Sequence, residues 1–365
     1  MLPRKFINKK LKLSVWVLET QISEIRRTSE RTKEQTISLL KTTANRQRLF
    51  SAPEMQAVVK VEASLLKGAR RYFEENGFNE VVVPHLTKAT GACENIATMF
   101  EVDYFGQRSY LAQTAQLYLE VLTPFLQKVW CVSPSFRAEP SVDDRHLTEF
   151  TLVELEFAGN FEELLTHIEG TICSMISCAF EEREKDLRLL NADVEKLCRV
   201  KKPFQQITYT EAIGMLADCR VAWGDDLKSQ HEKLLVQMIG NQPLFVTHYP
   251  KPIKFFNMRE NDKNPAVVNS ADLLLPISGE AVGAAEREQR YEKLYERLID
   301  SAMFKQLLAR GGGIDDFGWY LDFYKEHKAL HSGCGIGLNR VTQFVLASDD
   351  IRTTTAFPMN RESML

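Results

Sequence analysis

The sequence lacks the patterns that mark several large classes of protein. Its seven cysteines are odd in number and form no Cys-x-x-Cys pair, so neither a zinc ribbon nor a disulfide framework is expected. No hydrophobic run is long enough to span a membrane, and the longest run near the start, residues 11–18, is interrupted by Lys12 and Ser14. The simplest expectation is a cytoplasmic protein that folds in water and has no membrane partner.

The chain also has no overall excess of basic residues. Lys and Arg number 46 against 49 Asp and Glu, a net charge of −3, so no general field for nucleic acid is expected around the protein. The charge is uneven, however, because residues 1–48 contain 12 Lys and Arg but only four Asp and Glu. This segment is predicted to be a basic N-terminal arm without a domain core of its own, attached to an acidic body.

Two common nucleotide-binding patterns are missing. The sequence contains no Gly-Lys-Ser or Gly-Lys-Thr P-loop, and the glycine run at 333–337 lacks the glycine spacing and the following βαβ unit of a dinucleotide fingerprint. Glycine lets the backbone approach a ligand closely, but a glycine run alone is weak evidence of a site. Any nucleotide is therefore expected to be bound in another way.

The first strong pattern is a long amphipathic helix. Apolar residues over 55–73 have helical spacing, Ser51 and Glu54 have the spacing of a capping box, and Gly77 can adopt the left-handed conformation that ends a helix. The apolar run at 81–84 follows at once. It predicts a strand at a sheet edge or an interface, because its final proline has no N–H to donate to a central ladder.

The rest of the pattern predicts an α+β fold with a mostly antiparallel sheet walled by helices, since the strands do not alternate regularly with helices. Helices are predicted at 116–128, 161–200, 287–308, 318–327 and 339–347. Strands are predicted at 99–104, 109–111, 129–138, 148–157, 244–248, 254–259, 271–275 and 333–337.

The predicted hairpin of 129–138 and 148–157 carries the first group of candidate functional residues. Because alternate residues of a strand share a face, Glu154, Glu156 and one of the pair Glu149 and Phe150 are expected to lie opposite Arg137. A guanidinium can hold a phosphate through two parallel hydrogen bonds, and a flat aromatic ring such as Phe150 can stack on a purine. One Arg–Glu pair alone would indicate a solvated hairpin with ion pairs, but the complete set favours a ligand site.

A second group of candidates is a pair of carboxylates, Asp272 and Glu280. Carboxylate oxygens are the ligands that Mg²⁺ prefers when it also bridges phosphates. A bare pair of this kind is more often surface charge. The pair is therefore favoured as a magnesium site only if the hairpin binds a nucleoside triphosphate.

Three stretches in this order resemble the motifs of class II aminoacyl-tRNA synthetases. They are the long helix with the strand ending at Pro84, the hairpin from Phe136 to Glu156, and the Gly-Ile-Gly-Leu-Asn-Arg stretch at 335–340. The resemblance covers about residues 50–358. Within the class, asparaginyl-tRNA synthetase, with archaeal asparagine synthetase of the same lineage, is the nearest in the stretches 100–106, 116–120, 136–146, 279–287 and 319–337.

This resemblance implies a class II synthetase-like catalytic domain over 49–365, an antiparallel sheet flanked by helices, and a helical insertion at about 160–240. It also implies a role for twelve residues. The implied catalytic residues are Arg137, Glu139 and Arg340; the ATP-binding residues Arg137, Arg145, His146, Phe150 and Arg340; the amino-acid-binding residues Glu94, Gln116, Glu154 and Arg287; and the Mg²⁺ ligands Asp272 and Glu280.

The amino acid to be activated is expected to be asparagine or aspartate, with asparagine favoured. Aspartyl enzymes place a lysine where this sequence has Leu119, and Glu154 could accept a hydrogen bond from an amide but would repel a carboxylate. Glu154 could instead hold an ammonium group or an amine nucleophile, so both interpretations stay open.

Several departures from the family bear on the acceptor. Residues 1–48 are too short and too helical in pattern for the anticodon-binding domain that precedes the catalytic core in relatives. The family's Gly-Gly-Ser before Arg287 is Gly-Ala-Ala at 283–285, Asn339 replaces an acidic residue, and the loop after Glu94 reads Asn-Ile-Ala.

These departures lead to one preferred hypothesis and two alternatives. The preferred function is an ATP- and Mg²⁺-dependent ligase that forms the adenylate of asparagine or aspartate and transfers the acyl group to ammonia or a small amine, with tRNA disfavoured. The first alternative is a truncated asparagine–tRNA ligase, and the second is an inactive protein that senses the amino acid or ATP. A homodimer is expected, because the edge strand ending at Pro84 needs covering.

Overall fold

A computed structural model of the protein describes residues 32–88 and 98–363. Most of the predicted basic arm lies outside these residues. So do Glu94 and the Asn-Ile-Ala sequence that follows it, and the predictions made for them are not tested here by the structure.

The described residues form an α+β fold around one large sheet. The strands are β1 Asn79–Glu80, β2 Leu86–Thr87, β3 Glu101–Tyr104, β4 Gln107–Leu111, β5 Lys128–Phe136, β6 Glu149–Phe157, β7 Gln205–Thr208, β8 Leu244–Thr247, β9 Ser270–Leu275, β10 Gly279–Glu286 and β11 Ser332–Gly337. The helices are α1 Lys33–Leu39, α2 Pro53–Glu75, α3 Gln116–Leu126, α4 Phe161–Leu189, α5 Val194–Leu197, α6 Tyr209–Met215, α7 Ser229–Met238, α8 Tyr291–Asp300, α9 Ala302–Ala309, α10 Gly318–Glu326 and α11 Leu338–Val345.

The large sheet has eight strands in the order β1-β5-β6-β11-β10-β9-β8-β7. Its two outer pairs, β1 with β5 and β7 with β8, are parallel, and the other pairs are antiparallel. A separate three-stranded sheet has the order β2-β4-β3. The predicted α+β class with a mostly antiparallel sheet is therefore confirmed.

The predicted long helix is confirmed as α2, although its start differs from the prediction. Ala52 is the N-cap and contributes no side-chain cap, so the predicted capping box is wrong, while Pro53 suits the first turn. Gly77 has a φ of 74°, the left-handed conformation expected after the helix. α2 packs closely on α4 at Gly68, where an added Cβ would lie only 2.5 Å from the carbonyl oxygen of Ser174.

The predicted strand at 81–84 lies two residues earlier, in β1. It is at the edge of the large sheet, as expected, and the N–H of Val81 continues the pairing by donating to the carbonyl of Trp130 at 2.9 Å. Val82 is fully exposed. The run of β-branched residues therefore marks the sheet edge correctly but not the limits of the strand.

Around the site, two other element predictions are wrong and one strand was not predicted. The predicted strand at 254–259 is a loop with only isolated bridges, such as that between Met258 and Arg287. The predicted helix from 287 begins at Tyr291 and is interrupted at Ser301, which caps the next helix. The strand β10 was not predicted, because its glycines and alanines have low strand propensity and its place is set by pairing with β9 and β11.

The described end of the predicted arm is fastened to the domain by one buried arginine. The side chain of Arg46 is fully buried, and burial lowers its pKa to about 10. Its guanidinium donates hydrogen bonds to five backbone carbonyls, those of Leu40, Thr42, Arg352, Thr355 and Ala356. This segment therefore joins the core instead of standing apart from it.

Replacing Arg46 by methionine is expected to lower the free energy of unfolding by about 3 kcal/mol, because several buried carbonyls lose their donor at once. Chemical denaturation measures the change. The matched control is Arg48→Met at an exposed position nearby, which is expected to leave stability unchanged. Equal stability of the two variants would contradict the anchoring role of Arg46.

Over the described residues, no helix has both the length and the apolar character needed to cross a membrane.

Candidate active site

A cavity of about 670 Å³ lies against one face of the large sheet, and it brings together almost every predicted site residue. Only Glu94 of the twelve is outside the described residues. The other eleven line this cavity: Gln116, Arg137, Glu139, Arg145, His146, Phe150, Glu154, Asp272, Glu280, Arg287 and Arg340. The cavity has three parts: a basic end with Arg137, Arg145 and Arg340, an acidic patch with Asp272 and Glu280, and a third part with Gln116, Glu154 and Arg287, which is called the amino-acid end after its predicted role.

The hairpin of β5 and β6 supplies one wall of the cavity, as predicted. Phe136 pairs with Glu149 at its open end, and the alternating residues Phe150 and Glu154 face the cavity. The guanidinium of Arg137 lies 5.4 Å from the centre of the Phe150 ring. The Nε of Arg137 is buried and has no hydrogen-bond partner among the described residues. A buried donor of this kind is expected to pair with an anionic ligand.

The basic end of the cavity holds three arginines that come from three different elements. Arg340, near the start of α11, donates to the carbonyls of Ser278 and Arg145. Burial and then the charge of Arg145 lower the pKa of Arg340 to about 10. Arg145 in turn donates to Glu232 at 2.9 Å. Arg137 and Arg145 are suited to binding phosphate groups, and the planar guanidinium of Arg340 is also suited to stacking on a flat ring.

His146 lies at the rim of this basic end. Its Nδ1 is 2.9 Å from Oδ2 of Asp143. Burial alone would raise the pKa of Asp143, but the hydrogen bonds from His146 and from the backbone N–H of Arg145 outweigh it and lower that pKa to about 2. The Asp143 carboxylate therefore holds the loop that carries Arg145 and His146, two of the predicted ATP-binding residues, in one conformation.

The acidic patch is created by a β-bulge between β9 and β10. The register shifts between Glu280 and Val282, so that Gly283 comes to lie opposite Asp272. A Cβ on Gly283 would be 3.5 Å from Oε1 of Glu280, so the Glu280 carboxylate lies beside the glycine that pairs with Asp272. The bulge thus places both predicted metal ligands in one patch.

Two carboxylates close together in this patch favour the binding of a cation. Glu280 reaches solvent through the cavity but is surrounded by protein, and this desolvation, followed by the charge of Asp272, raises its pKa to about 7. Among the residues that the structure describes, no three His, Cys, Asp or Glu side chains are arranged to hold a metal. Two carboxylates of this kind fit Mg²⁺, which keeps waters and takes its other ligands from phosphate.

At the amino-acid end, Glu154 is held by three donors. Its oxygens accept hydrogen bonds from the hydroxyl of Thr114, from the N–H of Ala115 at 2.8 Å and from the hydroxyl of Ser133 at 2.6 Å. Burial raises the pKa of Glu154, although the three donors act against this effect. Glu154 therefore connects β6 to β5 and to the start of α3, with its carboxylate directed to the cavity.

Arg287, directly after β10, forms a buried ion pair with Glu156 of β6, on the far side of β11. Its Nε and Nη2 both donate to Oε1 of Glu156, at 3.0 and 2.6 Å. Burial acts to lower the pKa of Arg287, but Glu156 and Glu120 outweigh it and raise that pKa. Oε2 of Glu156 is buried and has no hydrogen-bond partner within the described part of the chain. Glu156 lines the cavity, so this unpaired acceptor lies within the cavity wall.

A network around Glu120 supports this end of the cavity and was not predicted. The fully buried Glu120 carboxylate lies 3.3 Å from Nε2 of His331. It accepts hydrogen bonds from Gln116, Asn257, Tyr320 and Tyr324, at distances of 2.7 to 3.0 Å. Only the spacing of Gln116 and Glu120, one helical turn apart, could have indicated it, because the other members lie far away in sequence.

Packing against Glu156 explains one glycine of the run in β11. Gly333 pairs with Glu156 across the sheet, and a Cβ at Gly333 would be only 2.0 Å from Cδ of Glu156. The Glu156 side chain therefore occupies the space that a larger residue would need. At least at this position, glycine makes room for a buried carboxylate and not for a dinucleotide.

The comparisons with known proteins agree with this geometry. The family described as tRNA synthetases class II (D, K and N) matches residues 40–361. The asparagine–tRNA ligase of Pyrococcus furiosus is 39% identical over 310 residues, which are 84% of this chain and 69% of the relative. That of Thermoplasma acidophilum is 34% identical over 318 residues, 86% of this chain and 71% of the relative.

Solved structures show the same likeness. The asparaginyl-tRNA synthetase of Pyrococcus horikoshii complexed with asparaginyl-adenylate has a TM-score of 0.81 and 36% identity, over 92% of this chain and 74% of that one. The asparaginyl-tRNA synthetase of Entamoeba histolytica has a TM-score of 0.78 and 29% identity, over 88% and 71%.

The chain belongs to the class II aminoacyl-tRNA synthetases, in the family that comprises the D, K and N enzymes. Within this family it is an ATP-dependent ligase of the asparaginyl-tRNA synthetase type.

Proposed function

We propose that the protein activates asparagine with ATP and transfers the asparaginyl group to a tRNA. The relatives that support this function are asparagine–tRNA ligases, and the similar Pyrococcus horikoshii structure carries asparaginyl-adenylate. The acceptor preferred from the sequence, ammonia or a small amine, receives no support from these relatives. The first alternative, charging of tRNA, is therefore the better supported function.

In the first half-reaction, the asparagine carboxylate attacks the α-phosphorus of ATP. An O–P bond to the carboxylate forms, the bond from the α-phosphorus to the bridging oxygen breaks, and pyrophosphate leaves with the electron pair. Arg137 would hold the α-phosphate and the carboxylate, which its unpaired Nε favours. Phe150 and Arg340 would hold the adenine, and Arg145 with His146 the γ-phosphate.

The protein supplies position and charge in this step, and needs no covalent intermediate. Mg²⁺, held by Asp272 and Glu280, would neutralise charge on the polyphosphate. Glu139 lies in the same cavity wall as Arg137. Gln116 is held by Glu120 at the amino-acid end, in a position from which its side-chain oxygen can accept from the α-amino group. In the transfer step, a ribose hydroxyl oxygen of tRNA would attack the acyl carbon, and the bond from this carbon to the phosphate oxygen would break. AMP would leave with the electron pair, and the hydroxyl proton would pass to solvent.

The charged groups around Arg287 are expected to favour asparagine over aspartate as the substrate. Leu119 lines the cavity with the carboxylates Glu154 and Glu156, and Oε2 of Glu156 is an unpaired acceptor. An amide can donate to such oxygens and accept from Arg287, whereas a carboxylate side chain would be repelled.

Exchange between ATP and pyrophosphate, measured with each amino acid in turn, tests activation. Exchange that depends on asparagine and not on aspartate is expected. Attachment of labelled asparagine to tRNA then tests the acceptor, and free ammonia and small amines are offered in parallel. Asparagine-dependent exchange without tRNA charging, but with AMP release in the presence of an amine, would restore the preference derived from the sequence.

We also propose a homodimer that covers the edge of the large sheet beside β1. Val82, next to β1, is fully exposed, and Phe125, near the end of α3, is 62% exposed. Sedimentation equilibrium is expected to give twice the 41.8 kDa mass of the chain. Val82→Asp should shift the protein towards monomer, since it places a charge in the interface. A monomeric wild-type protein would contradict the proposal.

A further inference from the structure

The acidic patch already holds a cation from the protein itself. Nζ of Lys254 donates to both carboxylate oxygens of Asp272, at 3.0 and 2.8 Å. The two side chains are largely buried, with 15% and 8% exposure. The ammonium also lies 4.0 Å from the centre of the Tyr249 ring. An ionic contact and an aromatic contact therefore both hold the Lys254 ammonium in this position.

Lys254 shares this patch with the rest of the predicted metal site. It lies on the loop between β8 and β9, and its side chain lines the same cavity as Glu280. Glu232 approaches from α7, accepts the N–H of Glu280 at 3.2 Å and pairs with Arg145. Three carboxylates and two basic side chains therefore surround the point at which the polyphosphate and Mg²⁺ are proposed to meet.

A divalent cation and the Lys254 ammonium compete for the same two oxygens. Both bind Asp272 by Coulomb attraction, and they repel each other at the separation that joint binding would impose. The lysine stem is flexible and can move its ammonium a few ångströms without moving the backbone. The nearest new partner, once a nucleotide is bound, would be a phosphate oxygen in the same cavity.

We propose that Lys254 is a further catalytic residue, which neutralises Asp272 in the nucleotide-free protein and moves to the β- and γ-phosphates when Mg²⁺ and ATP bind. In this position it stabilises the charge that develops on pyrophosphate as the bond to the α-phosphorus breaks. This role rests on the proposed activation of asparagine, but the pairing of Lys254 with Asp272 can be tested without any reaction.

The first test measures Mn²⁺ binding to the nucleotide-free protein by electron paramagnetic resonance. Lys254→Met is expected to bind Mn²⁺ about tenfold more tightly than the wild type, because the competing charge has been removed. The matched control is Lys251→Met on the same loop, where the lysine pairs with Glu260 at 2.9 Å and does not line the cavity. Its Mn²⁺ affinity should equal that of the wild type. Lys254→Met with unchanged, weaker or undetectable Mn²⁺ binding overturns the proposal.

The second test measures asparagine-dependent exchange between ATP and pyrophosphate. Lys254→Met is expected to lower the exchange rate by about 10²-fold and to leave the KM for asparagine unchanged, with Lys254→Arg restoring part of the rate. A lysine with a structural role only would instead lower the melting temperature, and Met and Arg variants would lose the same activity. That result, or full activity of Lys254→Met, would overturn the catalytic role.

The two tests separate failure of this inference from failure of the proposed function. If the wild type shows no asparagine-dependent exchange, the proposed function fails, while the Mn²⁺ measurement still judges whether Lys254 neutralises Asp272. If the exchange is present but Lys254→Met behaves as Lys251→Met in both tests, the inference fails and the proposed function stands.

Discussion

Arg137→Lys is expected to reduce asparagine-dependent exchange between ATP and pyrophosphate by about 10²–10³-fold. The Nε of Arg137 is buried without a partner among the described residues, and the guanidinium lies over the Phe150 ring. A lysine keeps the charge but cannot offer two parallel donors, nor the planar group that stacks on an aromatic ring. The loss should fall mainly on the rate, because the contact with the α-phosphate strengthens as charge develops there.

The control for Arg137→Lys is Arg188→Lys on α4, where the arginine forms an exposed pair with Glu184. This variant should have wild-type exchange. Thermal unfolding of both variants is expected to be close to wild type, so that lost exchange cannot be assigned to unfolding. Undiminished exchange in Arg137→Lys would refute the assignment of the basic end as the polyphosphate site.

Glu120→Gln is expected to destabilise the protein by about 3–5 kcal/mol and to raise the KM for asparagine at least tenfold. The carboxylate is fully buried among four hydrogen-bond donors and His331, and its Oε1 is 3.9 Å from Nε of Arg287. Removing its charge leaves His331 without its buried carboxylate partner and weakens the attraction that holds Arg287, which keeps Glu156. Both Gln116 and Arg287, which are proposed to contact asparagine, would lose a fixed position, while the KM for ATP should change little.

The stability effect of Glu120→Gln should depend on pH. Burial alone would raise the pKa of Glu120, but the hydrogen bond with His331 and the charge of Arg287 outweigh it, so this pKa lies below its ordinary value of 4.5. Burial alone would lower the pKa of His331, and contact with Glu120 instead raises it above 6.5. The stabilisation from Glu120 is therefore lost as pH falls through its lowered pKa, and that from His331 as pH rises through its raised pKa.

The difference in unfolding free energy between wild type and Glu120→Gln should accordingly be greatest between about pH 4.5 and 6.5, where both groups carry their full contribution. This difference should become smaller at higher pH, as His331 loses its proton. The part of the difference that persists there should come from the interaction of Glu120 with Arg287. Urea denaturation at several pH values measures this profile. Glu184→Gln at the exposed pair on α4 is the control, and a difference that does not vary with pH would contradict the charged pair.

Local patterns predicted the hairpin of the site well. The alternation of residues in β6 was enough to place Glu154 and Glu156 on one face, because the side chains of a strand point alternately to its two faces, whereas Phe150 was indicated by the family resemblance. The same reasoning could not predict β10, in which small residues are dictated by neighbouring strands. Nor could it predict the bulge that directs Glu280 towards Asp272, since a bulge depends on the partner strand.

The contacts that determine the chemistry of the cavity are mostly long-range. The partners of Glu120 include Asn257, Tyr320 and His331, and Lys254 reaches Asp272 across 18 positions of the chain. Such pairs leave no local periodicity, because their spacing along the chain is set by the intervening loops. They appear only when the whole sheet is assembled.

The sequence by itself determined the α+β fold, which hydrophobic periodicity and short-range spacing encode locally. It also determined three ordered motifs, and their resemblance to class II synthetases indicated eleven of the residues that line the cavity. Only the tertiary structure decided which charges meet, such as Lys254 with Asp272 and Arg287 with Glu156. The physical reason is that burial and charge pairing depend on distances between segments that are remote in the chain, and those distances exist only in the folded molecule.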